Sequence, residues 1–281
     1  MLRPLILLAL LAVGILVTSA RAAEGYANCT GFVDTLPATI STQGVWCLRH
    51  DVSTAVTSGN AITIATNNVT LDCNDFKVGG LAAGTGSTAK GIYAVDRLNI
   101  TVRRCNVRGF RYGIHLDGSN GSGHLVEDNR LDFNLHSGIV VGGRSNRVQR
   151  NRVHDTGGAN GSSQSFGLFV AAHAIDNTVD GVFAAVAPTQ PRGIYLVGDA
   201  NEARGNLVRG LVVDGAGAAS GIIVTGEHAT VSRNRVIASV PVNGTGIIGH
   251  GTSNTFCTGN LVANFALPWN ACQLLPGNDS H

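Results

Sequence analysis

The 281-residue chain carries 20 Lys+Arg against 18 Asp+Glu, and only 5% of it is aromatic while 37 residues are glycine. A charge so near neutral, with no basic run, offers no electrostatic basis for binding nucleic acid. So few large side chains would leave a compact sandwich of this size under-filled, whereas a solenoid packs small aliphatic residues coil upon coil.

The chain opens with Arg3, an apolar run of 13 residues from Leu5 to Val17, and Ala20-Arg21-Ala22. This is the layout of a secretory signal over residues 1–22, and the run is short for a membrane span. Removing Arg3 and Arg21 leaves 18 positive and 18 negative side chains. The mature chain is therefore expected to be soluble, free of membrane, and secreted or periplasmic. Six cysteines follow: Cys29, Cys47, Cys73, Cys105, Cys257 and Cys272. An even count in an exported chain points to disulfides, and the lack of a C-x-x-C pair argues against zinc.

From residue 60 a repeat takes over. A loose first copy, Ala61-Ile62-Thr63-Ile64, is followed by Gly-[Ile/Leu]-x starts at Gly91, Gly113, Gly138, Gly167, Gly193, Gly221 and Gly246, spaced 22 to 29 residues apart. Each start alternates in and out with the period of a strand. A second landmark follows in each coil, an aliphatic residue three before an asparagine: Asn74, Asn129, Asn151, Asn177, Asn206, Asn234 and Asn260, with Cys105 in the Asn place of one coil. Asn tolerates left-handed backbone and suits the corner between two strands. Stacked at the rung spacing of about 4.8 Å, the asparagines would form an internal ladder. The Gly/Ala/Ser/Thr-rich stretches 79–90, 155–166, 183–192 and 213–220 read as loops leaving one corner.

This pattern resembles the right-handed parallel β-helix repeat family, the group that includes pectate-lyase-like proteins. The resemblance covers about residues 60–265 and implies an all-β solenoid of about eight coils acting on carbohydrate, often acidic. Residues 23–59, with Trp46, then read as an N-terminal cap, and residues 266–281, with Pro268 to Cys272, as the closure of the other end. Cys73 and Cys105 hold nearly matching coil positions, so the expected pairs are Cys29–Cys47, Cys73–Cys105 and Cys257–Cys272.

In a solenoid, chemistry lies in columns across coils. The outward residue of the Gly-Ile strand reads Tyr93, His115, Val140, Phe169, Tyr195, Ile223, Ile248. An apolar, aromatic column suits sugar stacking through Tyr93, Phe169 and Tyr195. The competing reading is packing beneath the long loops or against a second copy. The column before the asparagines alternates in charge, Arg104, Asp128, Arg150, Asp176, and reads as an ion-pair ladder fixing coil register or as a strip for a charged polymer. Arg103, Arg104, Arg108 and Arg111 form the densest basic cluster, able to face a uronate carboxylate. His115, with Tyr93 one coil away and Asp117 two residues on, could supply acid and base next to that carboxylate.

Complete catalytic signatures are missing. Gly249-His250-Gly251 resembles the Gly-His-Gly element of polygalacturonase-type hydrolases, but the paired aspartates and Arg-x-Lys are absent, and its register fits a turn. Tyr112-Gly113-Ile114-His115 keeps only part of the Tyr-Gly-x-Asp-Pro-His string of alginate-type epimerases, and Asp-Pro is missing. Pectate lyases bind calcium, for which Asp72, Asp75 and Asp96, or Glu127, Asp128 and Asp132, are the acidic candidates, without diagnostic spacing; no other metal or cofactor is implied. Two functions stand: a polysaccharide lyase or epimerase, or a non-catalytic glycan- or surface-binding β-helix.

Overall fold

The computed structural model describes residues 26–250 and 255–281. The expected signal segment and Gly251 lie outside the described residues. The remaining chain winds into three parallel sheets that run the length of a solenoid of about nine turns, one more than expected.

Each full turn contributes one strand to each sheet. The Gly-Ile strands form the first sheet, as in Lys90–Val95 and Tyr112–Asp117, which pair in register from Tyr112↔Lys90 to Asp117↔Val95. The aliphatic segments before the asparagines form the second, as in Thr101–Arg103 and Leu125–Glu127. The segments after them form the third, as in Asn106–Arg108 and Arg130–Asp132. The stack begins before residue 60. Ala38–Ile40, Gly44–Cys47 and Val52–Ser53 already pair with the three strands of the next turn.

The repeat glycine is required by space. A Cβ at Gly167 would stand 2.4 Å from Val179 Cγ1, and one at Gly193 would stand 2.4 Å from Val208 Cγ1. The same approach recurs at Gly138, Gly221 and Gly246. Where the chain turns from the third sheet into the first, it passes against the inward valines of the third sheet. That contact lets Ile114, Ile139, Leu168, Ile194 and Ile222 close the core beside them.

The asparagine ladder is present, with one correction to its mechanism. The left-handed residue at the corner is the one before the asparagine: Arg104, Asp128, Arg150, Asp176 and Arg233 all have φ between 50° and 56°. The turn made there swings the asparagine side chain inward. Asn129, Asn151, Asn177, Asn206, Asn234, Asn260 and Asn278 then connect without a break, each Nδ2 donating to the Oδ1 of the next. Each Nδ2 also donates to a backbone carbonyl of the preceding coil, as Asn177 does to Val148 O at 2.9 Å. A buried amide must be satisfied, and the column satisfies them collectively.

Disulfides join Cys29 to Cys47, Cys73 to Cys105 and Cys257 to Cys272, the pairs expected. Among the described residues no helix is long and apolar enough to cross a membrane.

Candidate functional site

Register places Tyr93, His115, Val140, Phe169, Tyr195, Ile223 and Ile248 in one column on the outer face of the first sheet. The long loops do not seal it: Tyr93, His115, Val140, Phe169 and Tyr195 all remain partly exposed.

A second column runs beside it, at the residue immediately before each repeat glycine, with Ser137 and Phe166 buried within it. It reads Lys90, Tyr112, Ser137, Phe166, Arg192, Ser220. Sequence reasoning overlooked it, although its position in the repeat was available. With His136, the two columns make one continuous strip of rings. Tyr93 meets His115 edge-on at 5.6 Å, His115 meets Tyr112 at 4.9 Å, and Tyr112 meets His136 at 5.4 Å. His136 then meets Phe166 at 5.6 Å, Phe166 meets Phe169 at 5.3 Å, and Phe169 stacks on Tyr195 at 5.1 Å and 12°. From Tyr93 to Tyr195 the strip crosses four rung steps, about 19 Å at the usual strand spacing. Cations cover both ends. Lys90 Nζ sits 4.2 Å above Tyr93, and the Arg192 guanidinium lies 5.2 Å from Phe166 and 5.4 Å from Tyr195.

Tyr93, His115 and Asp117 do converge. His115 Nε2 lies 3.3 Å from Asp117 Oδ2, and the imidazole is only 12% exposed. Burial pushes its pKa below the usual histidine range and Lys90 adds to this, against the opposing pull of Asp117. The ring is therefore neutral near pH 7. Its Nδ1 is shielded from solvent and has no hydrogen-bond partner, so one nitrogen faces Asp117 and the other faces the protein. Burial, then Asp117 and Asp96, raise the Tyr93 phenol, which stays protonated. Arg111 lies at the same face, 5.8 Å from the Tyr112 ring.

Arg103 and Arg104 do not belong to this site. They stand on the second sheet and its corner, and both pair with the buried carboxylate of Asp72, at 2.9 and 2.5 Å. Burial opposes ionisation of Asp72, but Arg104, the Asn74 N–H and Arg103 outweigh it and hold its pKa below the usual range. The basic cluster is adjacent in sequence but splits across a corner in space. The alternating column is an ion-pair ladder over part of its length: Arg150 pairs with both Glu127 and Asp128. The acidic residues singled out for calcium are largely committed to arginine, since Asp132 also pairs, with Arg108 at 2.9 Å. Among the described residues no group of three or more His, Cys, Asp or Glu is arranged to hold a metal.

Next to the strip a cleft of about 810 Å³ opens at the corner between the first and second sheets. Its floor is Val140, Phe169 and Ala171, and its rim carries Asp117, Arg144, Asp199 and Asn201. It exists because one rung lacks a turn. Val141 pairs with Val170 and Asn146 with Ala172, so residues 142–145 of one coil face the single residue Ala171 of the next. On the other side, the turn between Leu196 and Ala203 faces only residues 171–173.

The model of the right-handed β-helix region matches residues 46–208, more than half of the chain, and the protein belongs to that family. No curated protein matches it. Solved structures similar to it include a catalytic domain of GH87 α-1,3-glucanase in complex with nigerose, at 12% identity and a TM-score of 0.39, covering 88% of this chain and 64% of that one. A mutant tailspike protein of E. coli bacteriophage HK620 in complex with pentasaccharide shares 13% identity at a TM-score of 0.45, covering 86% and 59%. An alginate lyase from Paenibacillus sp. str. FPU-7 shares 12% at 0.38, covering 87% and 98%. The chain thus spans about 64% of the glucanase domain's length. These likenesses concern the fold alone.

Proposed function

We propose that this is an exported β-helix protein that binds polysaccharide along the outer face of its first sheet. The observation that carries the reading is the unbroken strip of rings from Tyr93 to Tyr195, partly exposed at every ring except the buried Phe166. A water-facing sheet surface is ordinarily polar, and a row of flat apolar faces with polar edges matches the alternating faces of pyranose rings. Three disulfides suit the oxidising compartment in which such a ligand is met. The known ligands of similar structures, nigerose and a pentasaccharide, are saccharides too.

The test is affinity electrophoresis and calorimetry of the mature protein against a polysaccharide panel. Tyr195→Ala together with Phe169→Ala should weaken binding at least tenfold, since losing an aromatic contact costs about 1.5 kcal/mol or more. Binding that survives the double change would show the strip to be packing.

A second reading, uronate lyase or epimerase turnover, is favoured by the meeting of Tyr93, His115 and Asp117. Against it stands the His115 Nδ1 lone pair, which faces protein. Turnover predicts unsaturated uronate absorbance with pectate or alginate, abolished by His115→Gln. No absorbance with either polymer, with or without calcium, would remove the lyase form.

A further inference from the structure

The cleft beside the strip is a second binding feature, built from residues that the first does not use up. Val140, Phe169 and Asp117 belong to both. Phe169 stacks on Tyr195 in the strip and forms the cleft floor, and Asp117 meets His115 in the strip and stands on the cleft rim. A chain lying along the rings therefore passes the mouth of the cleft at Phe169. The cleft is too short to carry a polymer across it, because full-length turns wall it at residues 142–145 and 197–202. Its volume of about 810 Å³ suits one or two sugar rings.

The rim chemistry narrows the class. Arg144 is exposed and has no ion-pair partner among the described residues. Asp199 uses one carboxylate oxygen to accept the Glu227 N–H at 2.8 Å and keeps the other. Asn201 spends its Nδ2 on Val197 O and Gly198 O, which leaves Oδ1 as an acceptor. Two carboxylates and one guanidinium give the rim a net negative charge, unfavourable to an acidic group. Carboxylate, amide and guanidinium together match the hydroxyls of a neutral sugar over an apolar floor.

We propose that this cleft receives a neutral one- or two-sugar branch of the polysaccharide whose backbone lies on the strip, so that the protein selects branched over linear glycans. This rests on the reading of the strip as a glycan platform. The single-residue corner at Ala171 is the specificity determinant.

The test uses matched oligosaccharide pairs: mannotetraose with and without galactosyl branches, xylotetraose with and without arabinosyl branches, and cellotetraose with and without xylosyl branches. In at least one pair the wild-type protein should bind the branched member about tenfold or more tightly, the contribution of one charge-assisted hydrogen bond with its packing. Ala171→Phe fills the cleft and should bring branched affinity down to the linear value, with linear affinity unchanged. Arg144→Ala, at an exposed side chain with no internal partner, should lower branched affinity alone and serves if Ala171→Phe does not fold. Equal affinity within every pair, or a preference untouched by both variants, overturns the cleft proposal while leaving the strip intact. Failure to bind any linear or branched member overturns both.

Discussion

Replacing Asn177 by alanine tests the internal ladder where it is deepest. Asn177 sits mid-column and is 1% exposed. Its Nδ2 donates to Val148 O at 2.9 Å and Asn206 Oδ1 at 3.1 Å. Its Oδ1 accepts from Asn151 N and Asn151 Nδ2, both at 3.0 Å. Alanine removes all four bonds and leaves a peptide N–H and a carbonyl without partners in a dry interior. At about 1 kcal/mol net for each bond, the loss is about 4 kcal/mol, before any added cost for the stranded groups. That is a large part of the 5–15 kcal/mol typical of a folded domain. The neighbour Thr178 points outward and its side chain makes no hydrogen bond among the described residues, so Thr178→Ala should cost less than about 1 kcal/mol. Urea denaturation of the oxidised chain, followed by far-ultraviolet circular dichroism, measures both. A loss below about 1 kcal/mol for Asn177→Ala would refute the claim that the ladder holds the coils together.

Other outcomes follow from the same structure. Gly193→Ala should lower the melting temperature by several degrees, because its Cβ would meet Val208 Cγ1 at 2.4 Å and Gly221 O at 2.5 Å; an unchanged melt would contradict the close-approach account of the repeat glycine. His124 is 2% exposed and burial pushes its pKa down to about 4. Unfolded chain takes up that proton first, so stability is full above about pH 6.5 and falls toward pH 4, by on the order of 3 kcal/mol. His136, also pushed down to about 4 by burial and Arg111, adds in the same direction. Melting curves from pH 7.5 to 4 should show this slope, and His124→Asn should flatten it; identical slopes would point to other groups. Asp72→Asn removes the charge shared by Arg103 and Arg104 and should destabilise by about 2 kcal/mol, while leaving glycan affinity unchanged. A fall in affinity would return those arginines to the binding site.

What could be read in advance depended on whether a feature repeats. Gly167, Gly193 and Gly221 announce the coil because each obeys the same steric demand, and Asn151, Asn177 and Asn206 recur because each must satisfy its neighbours. The Cys73–Cys105 pair follows from that register. Features that occur once were harder to see. The cleft comes from a missing turn, and Ala171 carries no chemical mark of its own; only comparing residues 142–145 with the single Ala171 reveals it. Tyr112 and Phe166 were overlooked because the position before the repeat glycine varies from Lys90 to Ser220, so no residue type flags the column. Arg103 and Arg104 misled for the opposite reason. They are close in sequence to Arg111 and His115, but the left-handed backbone at Arg104 turns the chain onto another face of the solenoid.

The ladder and the disulfides divide the molecule's length between them. Cys105 donates its backbone N–H to Asn129 Oδ1, where the hydrogen-bonded column begins, and Cys257 is bonded to Cys272 in the coil where that column finishes. A stack held by nearest neighbours comes apart from its ends, since an end coil has one partner to lose and an inner coil has two. Here Cys73–Cys105 ties the turn before the column to the one that leads into it, and Cys257–Cys272 ties the last two turns, so fraying that starts at either end soon meets a sulfur bond. The protein behaves like a zip fastener stopped at both ends. Its persistence is then a matter of unfolding rate, governed by the surrounding redox potential as much as by the depth of the native well.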